Sequence, residues 1–298
     1  MFDVIIIGGS FAGVSAALQL GRARRKVLLV DSGATRNRFA QSAHGFFGHD
    51  GKAPQQLQQE GLAQLAQYPT VTIVNALALA AAPLDGGFQV TIGDGRIERA
   101  ARLILATGIR DELPCLPGLR ERWGRSVVHC PYCHGYELAP GPFGVLASTP
   151  ASAHQAMMVP DWGPATYFIQ GEFEPDEAQL AQFAARGVQV ERSPVVELLG
   201  AVPALEGVRL ADGRVVSLAG LFIAPQLRMT TPIVRQLGCA MEEGPLGAVI
   251  KVDEMKQTSV PGVFAAGDAA TLFGNAVFAA AAGAMAGVAA HRSLVFGL

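Results

Sequence analysis

The sequence has little charge and no strong excess of either sign. Only 16% of its 298 residues are charged, and 23 basic against 25 acidic residues give a formal net charge of -2. A protein that binds nucleic acid or an anionic membrane through electrostatics needs a basic surface, which this balance does not provide. We therefore expect neither nucleic acid nor a membrane as a partner.

Long hydrophobic runs and a targeting segment are also missing. The apolar run in the N-terminal sequence MFDVIIIGG is short, and it lacks the basic start and the small-residue cleavage site of a signal peptide. The longest weakly polar stretch, 276–290, is mostly Ala and Gly and is shorter than the roughly 20 apolar residues of a membrane-spanning helix. We expect a cytoplasmic protein in which this stretch forms a tightly packed core helix.

Cysteine is scarce, with four residues in the chain. In a cytosolic protein, a close pair of cysteines is more often catalytic or metal-binding than a structural disulfide. Cys130 and Cys133 form such a pair within HCPYCHGYE (129–137). Cys115 and Cys239 have no nearby thiol or histidine in the sequence, and we expect both to be isolated, buried thiols.

What the sequence does contain is 50% apolar residues in alternating strand and helix patterns. The β-branched run 4–7 predicts a strand buried on both faces, followed by a glycine turn, an amphipathic helix and a second strand at 26–31. A second βαβ unit begins with the strand in GPFGVLAS (141–148). Two such units in 298 residues favour two domains.

The predicted fold class is therefore α/β, with two Rossmann-like three-layer domains. Residues 109–118 contain two prolines and several charges, a composition typical of a linker. Because the strand patterns near the C-terminus resemble a return to the first domain, we predict that this domain is discontinuous. Residues 1–110 and 231–298 would form it, with a second domain of residues 111–230 inserted between them.

The turn after the first strand predicts a dinucleotide site. Its sequence, GGSFAG (8–13), fits G-x-G-x-x-G except that Ser10 replaces the middle glycine. Gly8 permits the tight turn, Gly13 permits close helix–strand packing, and the helix N-terminus offers free N–H groups to a pyrophosphate. Asp31 ends the second strand, where a carboxylate accepts a ribose hydroxyl. The predicted contacts are Gly8, Ser10, Phe11, Ala12, Gly13 and Asp31; the alternative is a glycine-rich turn without a ligand.

Two further motifs identify the dinucleotide by resemblance. TSVPGVFAAGD (258–268) resembles the second FAD signature of the pyridine nucleotide-disulfide oxidoreductases, and Ala106-Thr107-Gly108 resembles the third. The resemblance implies an FAD-binding domain in which Gly267 and Asp268 hold the ribityl chain of the flavin. The helix that begins near Asn275 and Ala276 can direct its N-terminus at the flavin ring.

The cysteine pair allows three interpretations. Zinc needs about four ligands, and no second C-x-x-C or H-x-x-x-H accompanies this pair. A structural bridge over so short a loop removes little chain entropy. A redox pair at a helix start is favoured, because the helix dipole and neighbouring imidazoles stabilise a thiolate.

The arrangement of these motifs resembles the low-molecular-weight thioredoxin reductases over nearly the whole chain. The resemblance implies that Cys133 is the flavin-proximal sulfur and Cys130 the interchange thiol that meets the substrate. Those enzymes generally carry Asp after the second cysteine, whereas this chain has His134. A histidine suits proton transfer in either direction near neutral pH, although a packed or surface role remains the alternative. His129 is expected to be structural.

CPYCHGYE, together with RNRFAQSAHGFFGHDG (36–51), looks more like the branch that contains the small-molecule dithiol oxidases of gliotoxin and holomycin pathways. These enzymes close a disulfide in a substrate and pass the electrons through FAD to oxygen. The resemblance adds Arg38, His44 and Gly45 to the predicted cofactor-binding residues.

The turn of the second βαβ unit lacks the glycines of a nucleotide site. It reads ASTPAS (147–152). Side chains there obstruct the approach of a pyrophosphate to the backbone, and Pro150 has no N–H to donate. Glu172, after the next strand, repels the 2′-phosphate of NADPH but can accept an NADH ribose. The sequence thus leaves NAD(P)H binding in doubt and favours a vestigial scaffold that carries the cysteine pair.

Together these patterns predict an FAD-dependent oxidoreductase that exchanges electrons between a dithiol or disulfide and flavin. We favour dithiol oxidation, with oxygen or another acceptor re-oxidising the flavin. Two alternatives stay open: an NAD(P)H-dependent thioredoxin reductase, and a flavin redox sensor that binds a protein partner without turnover. The expected partner is a small-molecule dithiol or disulfide or a thioredoxin-like protein, and the resemblance implies a homodimer.

Overall fold

The computed structural model describes residues 1–297, which form two compact units. The helices are α1 (Phe11–Arg22), α2 (Pro54–Leu65), α3 (Pro131–Leu138), α4 (Ser152–Met158), α5 (Glu177–Arg186), α6 (Ile233–Gln236) and α7 (Ala276–Phe296). The strands are β1 (Phe2–Ile7), β2 (Val27–Asp31), β3 (Val71–Asn75), β4 (Ala78–Leu84), β5 (Gly87–Ile92), β6 (Ile97–Leu105), β7 (Ile109–Glu112), β8 (Val127–Val128), β9 (Phe143–Leu146), β10 (Ala165–Phe168), β11 (Gln189–Glu191), β12 (Val195–Leu199), β13 (Gly207–Leu210), β14 (Val215–Ser217), β15 (Gly220–Ile223), β16 (Gln226–Met229), β17 (Met241–Glu242), β18 (Val249–Ile250) and β19 (Val263–Ala265).

The first unit contains Met1–Arg38, Lys52–Arg110 and the chain from Arg228 onward. Its sheet has the order β3-β2-β1-β6-β5-β4, and β19 also pairs with β6. The strands β3, β2, β1, β6 and β19 run parallel, whereas β5 is antiparallel to both of its neighbours, β6 and β4. The carboxyl ends of β2, β1, β6 and β19 therefore lie along one edge, where open α/β sheets bind their ligands.

The run of apolar residues in β1 is explained by burial on both faces of this sheet. Val4 and Ile6 pack into a core formed with α1 and α7, while Ile5 and Ile7 pack into a core that contains Ile233 of α6. Successive side chains of a strand point to opposite faces, so the part of β1 that is covered on both sides, residues 4–7, has no polar positions.

Helix α7 is longer than the sequence predicted. It spans 21 residues rather than the stretch 276–290, and by length and composition it is long enough to cross a membrane. The expectation that this segment is too short for a membrane span was therefore wrong. The inner face of α7 packs against α1, because Gly283 and Gly287 let its backbone approach the backbone of Ala12 and Ala16. Side chains at either glycine would overlap those backbone atoms, so this face is a protein core contact.

The second unit contains Phe39–Gly51 and Asp111–Leu227. Its parallel sheet has the order β11-β10-β9-β15-β8. One face packs with α4 and α5, and the other packs with the antiparallel strands β12, β13 and β14. The predicted α/β class with two Rossmann-like parallel-sheet units is confirmed.

Residues 39–51 cluster with the second unit, although the sequence-based division assigned them to the first part of the chain. Two contacts, each between residues far apart in the sequence, explain this placement. The His44 side chain approaches Glu137 in α3, and Phe39 packs closely on Gly124. Local periodicity contains no information on such contacts. The predicted linker 109–118 is not wholly irregular, since it includes strand β7, which pairs with β16.

Candidate active site

The turn between β1 and α1 is closed by two glycines. Gly8 has a φ of +106°, and a Cβ at this position would overlap the carbonyl of Ala106. A Cβ at Gly13 would overlap the carbonyl of Gly8. Ser10 is the N-cap residue of α1, and its side chain makes no capping hydrogen bond. The N-terminus of α1 therefore keeps the partial positive charge that favours a pyrophosphate, with no capping side chain over it.

Asp31 lies beside this turn at the end of β2. Its Oδ1 accepts the N–H of Gly9 at 3.1 Å, and its Oδ2 accepts the Nε2 of Gln58 at 3.2 Å. An ionised carboxylate has about four acceptor sites, so capacity for ribose hydroxyls remains. Gln58 was missed by the sequence reasoning, because nothing in its helix marks which turn it reaches.

The segment Ala106-Thr107-Gly108 follows β6, directly beside the glycine turn. The Thr107 carbonyl accepts the hydroxyl of Thr230 at 2.9 Å. The Thr107 hydroxyl itself is buried and has no hydrogen-bond partner among residues 1–297. Since a buried hydroxyl without a partner costs free energy, this side chain points to a bound group that completes it.

The pair Gly267-Asp268 follows β19 at the same edge of the sheet. The Nη1 of Arg36 lies 3.0 Å from Oδ2 of Asp268 in a half-buried ion pair. Arg36 was missed from the sequence, which indicated Arg38 instead. The Arg38 Nη1 donates to the Thr35 carbonyl at 2.6 Å. A separation of 232 residues between Arg36 and Asp268 leaves no local signal for their contact.

The N-terminus of α7 begins next to this pair. Asn275 is its N-cap, and the Asn275 side chain accepts the N–H of Phe278 at 2.7 Å, while Ala276 is the first helical residue. The predicted contacts from both ends of the chain thus converge on one edge of the first sheet. The turn with Gly8 and Gly13, the unpartnered Thr107 hydroxyl and the carboxylate of Asp31 fit the nucleotide and ribityl parts of FAD.

The cysteine pair lies in the second unit, at the start of α3. Cys130 is the N-cap residue, Pro131 occupies the first helical position and Cys133 lies in the first turn. Cys130 and Cys133 form a disulfide, with their Cα atoms 5.2 Å apart. Among residues 1–297 no group of three or more His, Cys, Asp or Glu side chains could hold a metal ion. The disulfide is the oxidised form of a pair that can take part in thiol–disulfide exchange.

His134 follows the pair directly and has an unusual environment. Both of its ring nitrogens are buried and lack a hydrogen-bond partner in the described part of the chain. Burial lowers the pKa of His134, and the charges of His44 and His129 lower it further, while the Cys130 backbone and Glu137 oppose the shift. A neutral imidazole is thereby favoured, which is the form that accepts a proton.

His44 and Gly45 lie in the segment 39–51, within the second unit. The His44 Nε2 is 3.3 Å from Oε1 of Glu137, and the Gly45 N–H donates to Oδ1 of Asp50 at 2.7 Å. His129 has its Nδ1 3.2 Å from the Ile223 carbonyl, as expected of a structural histidine. The predicted flavin contacts of His44 and Gly45 stay predictions.

The turn between β9 and α4 is closed by a hydroxyl group. Ser152 is fully buried, and its Oγ accepts the N–H of Ser148 at 3.1 Å and of Thr149 at 3.3 Å. The N–H of Ser152 donates to the Thr149 carbonyl, and Pro150 has no N–H. These backbone donors of the turn are therefore not directed at a ligand.

The two remaining cysteines differ from each other. Cys239 is buried as predicted, 3.7 Å from the Thr258 hydroxyl, and burial raises the pKa of its thiol. Cys115 is exposed, so the prediction of a buried thiol was wrong there. It lies in the connection after β7, where an apolar sequence neighbour does not ensure a core position.

Comparisons with known proteins agree with this geometry. The chain matches the family model described as pyridine nucleotide-disulphide oxidoreductase over residues 2–159 and 168–286. It is 32% identical to thioredoxin reductase tcpT of Claviceps purpurea (strain 20.1), over 98% of this chain and 94% of that protein.

Two solved structures are similar over the whole chain. The crystal structure of an oxidoreductase from Agrobacterium tumefaciens is 55% identical, with a TM-score of 0.95 and coverage of 100% of this chain and 99% of that one. The crystal structure of HlmI is 36% identical, with a TM-score of 0.92 and coverage of 99% and 92%. The predicted family and the FAD cofactor are confirmed. The chain belongs to the pyridine nucleotide-disulphide oxidoreductase family and is an FAD-dependent, thioredoxin-reductase-like thiol–disulfide oxidoreductase.

Proposed function

We propose that this enzyme oxidises a dithiol to a disulfide and does not take electrons from NAD(P)H. The observation that carries the proposal is the closed turn between β9 and α4. A nicotinamide dinucleotide needs outward backbone N–H groups for its pyrophosphate. Here Ser152 Oγ accepts the N–H groups of Ser148 and Thr149, so binding would have to break both hydrogen bonds.

The buried position of Ser152 strengthens this argument. Its hydroxyl is inaccessible to solvent, so water cannot replace it as the acceptor for the two N–H groups. Redirecting the two N–H groups to a pyrophosphate would leave the buried Ser152 hydroxyl without these hydrogen bonds, at a cost of about 1 to 3 kcal/mol. The helix that follows, α4, has only seven residues and offers a weak dipole.

The proposed chemistry begins with disulfide exchange. A substrate thiolate attacks Cys130 of the disulfide, forms a mixed disulfide and releases the Cys133 thiolate. The second substrate thiol then displaces Cys130, which leaves a substrate disulfide and a reduced cysteine pair. The substrate loses two electrons and two protons, and the cysteine pair gains them.

Neutral His134 is the base in this scheme. It adjoins Cys133 in the sequence, and burial lowers the pKa of His134, which keeps the imidazole in the form that accepts a thiol proton. Bound FAD supplies the acceptor for the two electrons released when the cysteine pair closes again, with molecular oxygen or another acceptor as the final oxidant. The residues that would hold it are Gly8, Gly13, Asp31, Thr107 and Asp268.

The direct test is an anaerobic titration of the FAD-loaded enzyme. We expect dithiothreitol to bleach the flavin absorbance rapidly, whereas NADPH and NADH leave it unchanged. Equilibrium dialysis should show no saturable binding of either nicotinamide up to millimolar concentration. Admission of air should then restore the flavin absorbance, with one oxidised dithiothreitol formed per flavin in each cycle.

The two alternatives give different results in the same experiment. Rapid bleaching by NADPH or NADH, at a rate that matches turnover, would identify a reductase and refute the oxidase proposal. A single stoichiometric oxidation without further turnover in air would identify a redox sensor. Repeated turnover with dithiothreitol contradicts the sensor.

A homodimer is also part of the proposal, and the outer face of α7 supports it. Phe278, Met285, Val288 and Val295 are exposed along this helix, at separations of seven, three and seven residues. An exposed apolar stripe of this kind is typical of a helix that packs against another protein surface. The cytoplasmic location stays a prediction.

Analytical ultracentrifugation checks the dimer. We expect the wild type to sediment with twice the mass of the 31.1 kDa chain, and Met285→Glu to shift it towards the monomer, because a charge in an apolar interface is costly. Leu79→Glu, at an exposed position in β4, is the matched control and should remain dimeric. A monomeric wild type would contradict the proposal.

A further inference from the structure

We propose that His44 and Glu137 are positioning residues for proton transfer at the disulfide: their pairing attaches segment 39–51 to helix α3, which also contains His134. This inference rests on the role of His134 in the proposed function. Neither residue is assigned contact with the substrate; both act through the histidine that follows the cysteine pair.

Hydrogen bonds within segment 39–51 hold His44 in position for its contact with Glu137. Asp50 Oδ1 accepts the N–H of Gly45 at 2.7 Å and lies 3.6 Å from Nδ1 of His44. The N–H of Gly51 donates to the Ala43 carbonyl at 3.0 Å and closes the loop. The imidazole of His44 is thereby held with Nδ1 towards Asp50 and with Nε2 directed away from the loop.

Glu137, the other residue of the pair, lies on α3, the helix that begins at the disulfide. The His44 Nε2 is 3.3 Å from Oε1 of Glu137, and the His44 side chain is only 21% exposed. Glu137 follows His134 by three positions in α3, a spacing that places both side chains on one face of a helix. The pair therefore joins a segment distant in the sequence to the helix that begins with the disulfide.

The charges of the pair act on His134 in opposite directions. The groups around this imidazole are Glu137, His44, His129 and the backbone of Cys130, and burial has the largest effect on its pKa, which it lowers. The charge of Glu137 raises the pKa of His134, whereas that of His44 lowers it. Because the imidazole of His134 is buried, water screens these neighbouring charges less than it would at the surface.

The opposite effects of the two charges on the pKa of His134 allow an experiment that distinguishes a positioning role from a purely structural one. Histidine labelled with carbon-13 at Cε1 allows the titration of His134 to be followed by NMR in the FAD-loaded, oxidised protein, with His134→Gln assigning the resonance. We expect Glu137→Gln to move the His134 midpoint to lower pH and His44→Gln to move it to higher pH, each by several tenths of a pH unit. Glu174→Gln, which changes an exposed glutamate of the same unit, should leave the midpoint unchanged.

The acid limb of the dithiol oxidation rate should follow the same two directions, because the neutral imidazole is the base. In hydrogen exchange, both variants should increase the exposure of residues 43–51, since each removes the attachment to α3. Unchanged midpoints, or midpoints that move in the same direction, would overturn the inference.

The outcome also separates this inference from the proposed function. If the midpoints move oppositely but no dithiol is oxidised, the positioning role stands and the oxidase proposal fails. If dithiol is oxidised normally while the midpoints and the exchange of residues 43–51 do not change, the positioning role fails and the oxidase proposal stands.

Discussion

Replacement of Cys133 with Ser should abolish dithiol-driven bleaching of the flavin, with a rate at least about a thousandfold below that of the wild type. In the proposed dithiol oxidation, the disulfide with Cys130 accepts the electrons of the substrate, and serine cannot form this disulfide. The measurement is stopped-flow absorbance of the FAD-loaded variant mixed anaerobically with dithiothreitol.

Two further cysteine variants make this result specific. Cys130→Ser should also stop turnover, because Cys133 alone cannot form the disulfide. Cys115→Ser is the matched control, because Cys115 is exposed and outside the pair, and it should keep the wild-type rate. A Cys133→Ser enzyme that still bleaches rapidly would show that the electrons bypass the pair.

Replacement of Gly8 with Ala should remove the FAD and destabilise the first unit by about 3 kcal/mol. The added Cβ would overlap the carbonyl of Ala106, and the φ of +106° is unfavourable for any other residue. We expect purified protein without yellow colour and an earlier transition in thermal unfolding.

Gly33→Ala controls for backbone strain alone. Gly33 also has a positive φ, of +74°, but nothing lies within 4 Å of the position that a Cβ would occupy there. This variant should lose only about 1 kcal/mol and should keep its flavin. Equal effects at the two glycines would contradict the role of the close approach between Gly8 and Ala106.

Thr107→Val separates cofactor binding from folding. It removes a buried hydroxyl without a partner among residues 1–297 and conserves the shape of the side chain, so the protein without FAD should be at least as stable as the wild type. FAD affinity, measured by the recovery of flavin fluorescence on dilution, should fall by about tenfold. An unchanged affinity would show that this hydroxyl does not face the cofactor.

Much of the first sheet could be predicted from the sequence. The run 4–7, the glycine turn and the strand ending at Asp31 are local patterns, because burial on both faces of a parallel strand demands a continuous apolar run. Helix α5 also has a local start signal, because Asp176 and Gln179 form a capping box. Its boundaries are set by neighbouring residues, so a short window contains the necessary information.

The length of α7 and the placement of residues 39–51 could not be predicted from local sequence patterns. Helix α7 continues past the Ala-rich stretch to Phe296 and ends at Gly297, which adopts the left-handed conformation typical of a helix C-terminus. The segment 39–51 belongs to the second unit through contacts of His44 and Phe39, each with a residue distant in the sequence.

The sequence by itself determined the cofactor class and the redox pair, because both depend on contiguous residues: glycines that fit a turn and two cysteines one helical turn apart. Only the tertiary structure decided that Arg36 pairs with Asp268, that Ser152 closes the second turn and that His44 meets Glu137. These three depend on where a side chain reaches after the chain has folded. A contact between residues far apart in the chain leaves no periodic pattern in the sequence, so only the folded structure shows it.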